Sequence, residues 1–332
     1  MIAFLKKYLR MKKQQFFYPI KPLYLVLTVT ENCNSRCTFC NFWQTAKKNE
    51  LSLSEIKQIF NSPMLDSLVS VTLTGGEPLL RKDINEIVAF VHKKTGVKPA
   101  ISTNGLIPKM LERFLQKSSK HIGGITFSVD GPKEVHEKIR GVKGSLERVD
   151  ECIKIVEKYG LGKRLTLSMT LTKENYKHLL PTFMRYRKYN FSFTNAESAK
   201  NWFGDIKDKK FEFTSEQIED ILRQMKVIQK YTGKRTYDLF LQERLKAEER
   251  TVPCYAGRYE VFISSKGIVQ PCFNKKPWGD LRKQSFTSIW KSSLAYKKRK
   301  KFFHCKKCYR RCNVSIFWIN PIYWKLRTLL KK

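Results

Sequence analysis

The sequence has little of several features that define common protein classes. No run of about 18 apolar residues occurs, so a transmembrane helix is not predicted. The first residues, MIAFLKKYLRMKKQQFF, lack the long apolar region and the small-residue cleavage site of a secretory signal. We therefore expect a cytoplasmic protein, in which the nine cysteines indicate metal binding in a reducing compartment.

Acidic residues are also scarce. The sequence has 29 Asp and Glu and 65 Lys and Arg, which gives a formal net charge of +36. Residues 1–20 carry five basic residues and residues 291–332 carry fourteen, with no acid in either segment. Such ends, mixed with apolar and aromatic residues, can attach peripherally to the anionic inner face of a membrane. The alternative is a pair of ordinary docked helices with solvated lysines. The excess consists of 46 lysines against 19 arginines, which disfavours specific nucleic-acid recognition.

The 332 residues, with 42% apolar content, are enough for one large domain and one small domain. Short β-rich runs alternate with amphipathic segments whose starts we place at Ser54, Asp83 and Ser145. The six candidate strands are 23–30, 69–74, 98–102, 122–129, 164–171 and 191–194. This alternation predicts an α/β fold, with a parallel sheet covered by helices. Six units are too few for a closed eight-fold barrel.

The chain divides into five segments on composition. Residues 1–20 form a basic amphipathic segment, and residues 21–200 the α/β unit. A helical connector follows over 201–250, with helices expected near 215–231 and 238–249. A compact cysteine-rich unit with a hairpin at Lys266-Gly267 covers 251–315, and 316–332 form a basic aromatic tail.

The most informative motif is a cysteine triplet with C-x3-C-x2-C spacing, formed by Cys33, Cys37 and Cys40. It follows the first candidate strand, so we place it on a loop at the strand's C-terminal end. Three adjacent thiolates suit a soft metal centre that leaves one position open. A zinc knuckle or a redox-sensing thiol group is the alternative, although zinc usually has a fourth ligand nearby and the nearest downstream histidine is His92.

A second motif, Thr74-Gly75-Gly76-Glu77-Pro78, follows the second candidate strand, with Gly75 placed 35 residues after Cys40. Two glycines at this point let the backbone approach a ligand closely. The triplet and this motif together resemble the radical S-adenosylmethionine (SAM) superfamily. The resemblance implies a partial (β/α)6 TIM-type barrel and a 4Fe–4S cluster on the triplet. In the family, the main chain and the glutamate of the GGEP element hold the methionine amino group of SAM.

The same resemblance implies further SAM contacts at strand ends. They are Ser102 and Asn104 after strand three, Ser128 and Asp130 after strand four, and Arg140 as the partner of the SAM carboxylate. Asn-Gly and Asp-Gly are also ordinary turn dipeptides, and a salt bridge is the alternative role of Arg140. Phe39 is expected against the cluster or adenine, or else in the core. Ser168 and Thr170 are weaker candidates for the adenosine site.

A second cysteine set lies in the C-terminal unit. Cys254 and Cys272 flank Gly267, which has four residues between it and Cys272, and Cys305-x2-Cys308-x3-Cys312 follows. The pattern resembles SPASM and twitch auxiliary-cluster domains, which implies a second 4Fe–4S cluster. We expect Cys254, Cys272, Cys305 and Cys308 as ligands, with Cys312 as a substitute ligand or spare thiol. Zinc is the alternative metal. Cys152, isolated in a helical pattern, is expected in the core.

We therefore expect a radical SAM enzyme that abstracts hydrogen from a substrate C–H, with an auxiliary cluster relaying electrons and a donor such as flavodoxin or ferredoxin. The basic ends favour an anionic, sugar- or lipid-like substrate. A maturase acting on a ribosomal peptide or protein side chain is the alternative within the family. Outside it, the alternatives are a zinc-bearing nucleic-acid-binding protein and a cluster-bearing partner without catalysis.

Overall fold

The structure is a computed structural model that describes residues 20–44, 49–196, 212–232, 254, 256–272 and 275–303. Nine strands form one sheet with the order β6-β5-β4-β3-β2-β1-β7-β8-β9. The strands are β1 Tyr24–Thr30, β2 Ser70–Gly75, β3 Ala100–Thr103, β4 Gly124–Ser128, β5 Leu165–Leu171, β6 Asn190–Asn195, β7 Glu260–Ile263, β8 Ile268–Gln270 and β9 Gly279–Asp280.

The helices cover the outside of this sheet. They are α1 Leu53–Phe60, α2 Ile84–Thr95, α3 Pro108–Ser118, α4 Lys133–Arg140, α5 Ser145–Lys158, α6 Leu179–Tyr186, α7 Ser215–Thr232, α8 Phe286–Lys291 and α9 Ser293–Phe303. The first six strands pair in parallel in sequence order, each separated from the next by helix. This confirms the predicted α/β fold with a partial barrel.

The strands separate apolar from polar side chains by simple alternation. On β5, Leu165, Leu167 and Met169 are buried, and the serine and threonines between them face the other side. The same pattern on the neighbouring strands buries one apolar face under the helices, as in the main core cluster. The opposite face therefore gives the inside of the barrel a lining of hydroxyl groups.

One of the three predicted helix starts needs correction. The capping residue of α1 is Ser52, not Ser54, because the Ser52 hydroxyl accepts a bond from Glu55 N–H while the Glu55 carboxylate accepts one from Ser52 N–H. Asp83 directly precedes α2 as predicted, and its carboxylate pairs with Arg81 and makes no capping hydrogen bond. Ser145 begins α5 as predicted.

The predicted hairpin is present, with β7 and β8 antiparallel on either side of Lys266-Gly267. Strand β7 also pairs in parallel with β1, from Tyr24 opposite Glu260 to Leu27 opposite Ile263. The C-terminal unit is therefore an extension of the barrel sheet. The connector helix predicted at 215–231 is α7, and the one at 238–249 lies outside the described residues. No helix in the described ranges is long and apolar enough to cross a membrane.

Candidate active site

A cavity of about 160 Å³ lies where the parallel strands end. Ten residues predicted for the site line it: Cys33, Cys37, Phe39, Cys40, Gly75, Gly76, Ser102, Asn104, Ser128 and Arg140. The carboxyl ends of parallel strands meet at one edge of a sheet, which explains why residues far apart in sequence converge here. The weaker candidates Ser168 and Thr170 also line the cavity.

Sequence reasoning missed six lining residues, which are Ser35, Phe42, Trp43, Thr74, Thr103 and Thr126. The signal for two of them was available. Thr126 is two residues before Ser128, and Thr74 immediately precedes the glycine pair, so strand alternation places both on the inner face. The aromatic pair Phe42 and Trp43 follows the triplet on a short 3-10 helix, which carries no comparable sequence signal.

The cysteine loop is held against the end of α4. Arg36 N–H donates to the Arg140 carbonyl at 2.9 Å, and Thr38 N–H donates to the Ile139 carbonyl at 2.9 Å. The Ser35 hydroxyl donates to the same Arg140 carbonyl at 3.0 Å and lies 3.1 Å from Cys37 Sγ. These bonds fix the loop backbone between the first and third cysteine independently of a metal.

The thiols of the triplet are free and sit in a largely desolvated place. Burial raises the pKa of Cys33 to about 11 and that of Cys40 to about 12. Metal binding by these side chains therefore requires that protons be released. Within the ranges that the structure describes, no group of three His, Cys, Asp or Glu side chains has a geometry that could hold a metal ion. The three sulfurs instead share the wall of one cavity.

The two glycines bring β2 into contact with the beginning of the cysteine loop. Gly76 N–H donates to the Thr30 carbonyl at 2.8 Å, and Glu77 N–H donates to the Asn32 carbonyl at 2.7 Å. A Cβ atom on Gly75 would lie 2.1 Å from the Thr30 carbonyl oxygen, and one on Gly76 would lie 2.3 Å from the Asn32 carbonyl oxygen. Glycine is required at both positions because backbone occupies the space of a side chain.

Glu77 is not among the residues that line the cavity, and the contact of its carboxylate with SAM stays a prediction. The side chain is fully buried and accepts bonds from Leu79 N–H at 3.0 Å, Thr103 Oγ1 at 2.8 Å and Asn104 N–H at 2.7 Å. Burial raises its pKa to about 7, although these three donors act in the opposite direction. In this structure Glu77 joins the ends of β2 and β3. Pro78 is likewise buried and begins a 3-10 helix outside the cavity.

Asp130 is likewise not among the residues that line the cavity, and its contact with the SAM ribose stays a prediction. Its carboxylate is fully buried, accepts from Thr170 N–H at 2.8 Å and pairs with Arg140 Nε at 2.5 Å. Arg140 lines the cavity, with Nη1 3.5 Å from Cys37 Sγ and its guanidinium carbon 5.4 Å from the centre of the Phe39 ring. Arg140 thus forms the salt bridge that was weighed as one role and also lines the cavity, while its pairing with the SAM carboxylate stays a prediction.

Asn104 connects strand three with the cysteine loop. Its Nδ2 donates to Asn34 Oδ1 at 2.7 Å and lies 3.9 Å from Cys33 Sγ. Asn104 Oδ1 also accepts a hydrogen bond from Leu106 N–H, which fixes the orientation of the side-chain amide. Asn104 therefore acts on the loop as well as lining the cavity.

The C-terminal cysteines are partly described. Cys254 and Cys272 are buried together with Ala256 in one small cluster beside the open end of the hairpin. This end of β7 adjoins the start of β1, whereas the triplet follows the end of β1. Cys305, Cys308 and Cys312 lie outside the described residues. Cys152 is in the core as predicted, with Sγ 3.3 Å from the Gly105 carbonyl oxygen.

Comparison with protein families gives two matches along the chain. The model of the Radical SAM superfamily matches residues 27–185, and the model of the iron-sulfur cluster-binding SPASM domain matches residues 254–313. The first match contains all the residues lining the cavity. The second contains the five C-terminal cysteines.

Several curated relatives, including the following two, match most of this chain. An AdoMet-dependent heme synthase of Methanosarcina barkeri is 24% identical over 300 residues, covering 83% of this chain and 84% of the relative. The antilisterial bacteriocin subtilosin biosynthesis protein AlbA of Bacillus subtilis is 25% identical over 292 residues, covering 83% of this chain. The alignment spans 61% of the length of AlbA, so more than a third of AlbA lies outside the region aligned with this chain.

Solved structures share the fold. SuiB of Streptococcus suis bound to S-adenosylmethionine superposes with a TM-score of 0.65 at 20% identity, covering 90% of this chain and 72% of SuiB. SuiB bound to its precursor peptide SuiA gives a TM-score of 0.65 at 21% identity, covering 90% of this chain and 70% of SuiB. The arrangement of parallel strands and C-terminal extension is therefore one already seen in solved structures.

Proposed function

Since this chain is a radical SAM superfamily enzyme with a C-terminal SPASM domain, we propose that it oxidises an anionic substrate at an unreactive C–H bond. The substrate would lose one electron with the abstracted hydrogen atom and a second electron to an auxiliary 4Fe–4S cluster. The observation that carries this proposal is the pairing of β7 with β1. It connects the triplet and the Cys254–Cys272 pair through adjacent strands of one sheet, which supports a fixed separation between the two proposed cluster sites.

The residues at the cavity suit the group that the family binds. Cys33, Cys37 and Cys40 are free thiols on one wall, in a number that leaves one iron of a 4Fe–4S cluster without a protein ligand. When bound, the cluster and SAM supply reductive cleavage and hydrogen abstraction, chemistry that belongs to the cofactors. The protein supplies orientation and shields the site from water.

Each cavity residue has a role that follows from its chemistry. The Arg140 guanidinium offers a cation to the SAM carboxylate, and the backbone at Gly75 and Gly76 leaves room for the methionine part. Asn104 and the hydroxyls of Ser102, Ser128, Ser168 and Thr170 can bond ribose and adenine. Phe39, Phe42 and Trp43 form the apolar part of the wall next to the triplet and limit the access of water.

The auxiliary cluster is assigned to Cys254, Cys272, Cys305 and Cys308, with Cys312 as a substitute ligand or spare thiol. The burial of Cys254 and Cys272 in one small cluster supports the first half of this ligand set. Four protein ligands leave no iron open to substrate, so the cluster would take up an electron. A donor such as flavodoxin or ferredoxin would reduce the first cluster.

The charge of the chain supports an anionic substrate, with sugar- and lipid-like molecules as the leading classes. A net charge of +36 raises the local concentration of anions around the protein. Its terminal segments carry much of this charge, which favours action at an anionic membrane surface.

A second candidate is modification of a peptide or protein side chain. It is favoured by the similarity to AlbA, a bacteriocin biosynthesis protein, over 83% of this chain. The fold shared with SuiB in complex with a precursor peptide is compatible with it.

The test is the yield of 5′-deoxyadenosine from anaerobically reconstituted and reduced protein. One sample receives membrane-lipid extract, one receives soluble extract, and one receives soluble extract digested with protease. A rise with lipid alone supports the anionic lipid-like substrate, and a rise with soluble extract that protease abolishes supports the peptide.

Two variants test the division of labour between the clusters. We expect Cys37→Ala to abolish 5′-deoxyadenosine formation. We expect Cys308→Ala to spare SAM cleavage and to stop substrate oxidation. Equal loss of SAM cleavage in both variants, with the first cluster intact in Cys308→Ala, would contradict the electron relay.

A further inference from the structure

We propose that the exposed side of helix α9 is a binding surface for an anionic lipid bilayer. This α9 surface consists of Leu294, Tyr296, Lys297, Lys298, Lys300 and Lys301, which all lie in the described part of the chain. The membrane as partner rests in part on the proposed function, but the surface involves neither the substrate nor the clusters. Vesicle binding alone can therefore test it.

The burial pattern of α9 shows which side of the helix faces solvent. Ala295, Arg299 and Phe302 are buried, at spacings of four and three residues, and they form the inner side. With about 3.6 residues per turn, the middle of the opposite side falls at Lys297. All four lysines of the α9 surface are exposed.

Arg299 fixes this orientation of the helix. It is the central member of five consecutive basic residues, yet its side chain is only 3% exposed. Nε donates to the Gly257 carbonyl at 2.6 Å, and Nη2 donates to the Trp290 carbonyl at 2.7 Å. The guanidinium carbon lies 4.4 Å from the centre of the Trp290 ring. The arginine is therefore used to dock the helix, and the lysines remain on the outside.

No acidic residue near in sequence balances the charge of the α9 surface. Residues 281–303 contain eight basic residues and no acid. Other exposed lysines, such as Lys133, Lys158 and Lys188, pair with glutamates. Among the residues that the structure describes, none of the four α9 lysines pairs with a carboxylate. Their charges therefore add to one positive patch that suits an external anionic surface.

Two apolar side chains accompany the lysines. Five large apolar side chains are exposed in the described ranges, and two of them belong to α9, namely Leu294 at 43% and Tyr296 at 41%. The helical period places them on opposite sides of Lys297. Lys300 Nζ lies 4.9 Å from the centre of the Tyr296 ring. Leucine and tyrosine among lysines suit the headgroup layer of a bilayer, which accepts apolar groups and offers negative charge.

The composition of the surface favours a bilayer over a nucleic acid. Arginine binds phosphates and guanine through two parallel hydrogen bonds, and the one arginine of α9 is buried. A phosphate backbone would also leave Leu294 without an apolar environment. Anionic lipids satisfy both the lysines and the leucine.

The α9 surface belongs to the edge of the sheet opposite the cavity. Trp290, at the end of α8, donates from Nε1 to the Ile20 carbonyl at 2.6 Å. Ile20 is four positions before Tyr24, where β1 begins, whereas the cavity lies where the parallel strands end. A bilayer bound at α9 therefore leaves the cavity open. Residues 1–20, which carry five basic residues and no acid, join the described chain at this same edge.

Electrostatics sets the expected size of the effect. Each basic residue close to an anionic bilayer strengthens binding about fivefold, so three lysines contribute on the order of a hundredfold. The attraction extends over a Debye length, which is about 8 Å at physiological salt and about 3 Å at 1 M. Binding should therefore weaken steeply as salt is added.

The test is sedimentation of the full-length, reconstituted protein with vesicles, in the absence of SAM and substrate. One set of vesicles contains equal parts of phosphatidylcholine and phosphatidylglycerol, and the other contains phosphatidylcholine alone. The main variant combines Lys297→Gln, Lys300→Gln and Lys301→Gln, and a second variant places arginine at the same three positions to keep the charge.

A matched control removes the same charge from another part of the surface. It combines Lys154→Gln on α5 with Lys226→Gln and Lys230→Gln on α7, three exposed lysines on helices. Leu294→Gln tests the apolar part of the surface. Binding of double-stranded DNA by the parent chain is measured in parallel.

We expect the parent chain to bind the anionic vesicles and not the neutral ones. The α9 glutamine variant should bind about a hundredfold more weakly, while the arginine variant and the control stay near the parent. Leu294→Gln should also bind more weakly than the parent. Parent-like binding of the α9 glutamine variant, an equal loss in the control, or binding of DNA without binding of vesicles would overturn the proposal.

The yield of 5′-deoxyadenosine with lipid extract separates this proposal from the proposed function. Vesicle binding through α9 without a rise in that yield would refute the lipid-like substrate and leave the α9 surface in place. A rise in the yield without any vesicle binding would refute the α9 surface alone.

Discussion

Lys266 Nζ lies 3.0 Å from Oε2 of Glu31, and this ion pair joins the turn of the C-terminal hairpin to the residue two positions before the first cysteine of the triplet. The neighbouring Ser265 hydroxyl donates to Oε1 of the same carboxylate at 3.1 Å. Leu51 N–H donates a hydrogen bond to the Ser265 carbonyl at 2.6 Å. The hairpin turn and the start of the cysteine loop are therefore one connected structure.

Removing the buried half of this connection should destabilise the protein. Ser265→Ala deletes a fully buried hydroxyl and leaves Oε1 of Glu31 without that donor, which costs about 1–3 kcal/mol. Lys266→Met should cost about 1 kcal/mol or less, because the lysine side chain is 41% exposed. Urea unfolding of the cluster-free chain, followed by circular dichroism, measures both. An unchanged transition in Ser265→Ala would show that Glu31 does not hold the hairpin.

The buried carboxyl of Glu77 should make stability depend on pH. Its pKa in the folded protein is about 7, against 4.5 for the ordinary group, so the folded state binds more protons between these values. Stability from this group is therefore fully present below about pH 4.5 and falls as the pH rises to 7, by up to roughly 3 kcal/mol. Urea unfolding between pH 4.5 and 7.5 measures the slope. The slope should be smaller in Glu77→Gln, and an identical slope in that variant would assign the effect to other groups.

Adding one methyl group at Gly76 should disturb the triplet. The new Cβ would lie 2.3 Å from the carbonyl oxygen of Asn32, the residue before Cys33, so the loop backbone must move. A displacement on the order of 1 Å costs about a hundredfold in rate, so we expect that loss in 5′-deoxyadenosine formation, with reduced iron content. Gly162→Ala is the control, because its Cβ would meet only Glu157 Cγ at 3.5 Å. Equal activity in the two variants would contradict the required close approach.

The ion pair between Asp130 and Arg140 should matter far more than surface pairs. Asp130→Asn leaves Arg140 buried without its carboxylate, and breaking a buried pair costs about 3–5 kcal/mol. The exposed pair of Lys133 and Glu147 provides the comparison, and Glu147→Gln should change the unfolding transition little. Thermal unfolding of both variants distinguishes them. Equal shifts in the two variants would show that the buried pair stabilises the protein no more than the exposed pair does.

Much of the fold followed from local patterns in the sequence. Strand alternation located all six barrel strands, because one face needs apolar residues and the other carries hydroxyls, as in the run Leu165 to Leu171. The triplet and the glycine pair were sufficient to locate the cavity, since both follow strand ends. The pairing of β7 with β1 was not predictable, because no local pattern records which strand edge a distant hairpin will join.

The partners of individual side chains could not be predicted from the sequence. Glu77 and Asp130 are next to cavity residues in sequence, and each carboxylate accepts a hydrogen bond from a backbone N–H group. A carboxylate buried at a strand end must find several donors, and the sequence does not indicate whether a ligand or the protein provides them. Arg299 shows the same difficulty in reverse, because a run of five basic residues gives no sign that one is buried.

The pairing of β1 with β7 also affects how the chain is made. Strand β1 is synthesised near the beginning, but Glu260, the partner of Tyr24, follows 236 positions later, by the difference of their numbers. Until then one edge of β1 has unpaired backbone groups that could join a strand of another nascent chain. We expect a barrel produced without residues 254–303 to keep this open edge and to aggregate, so that the SPASM domain protects the barrel during biosynthesis as well as serving its chemistry.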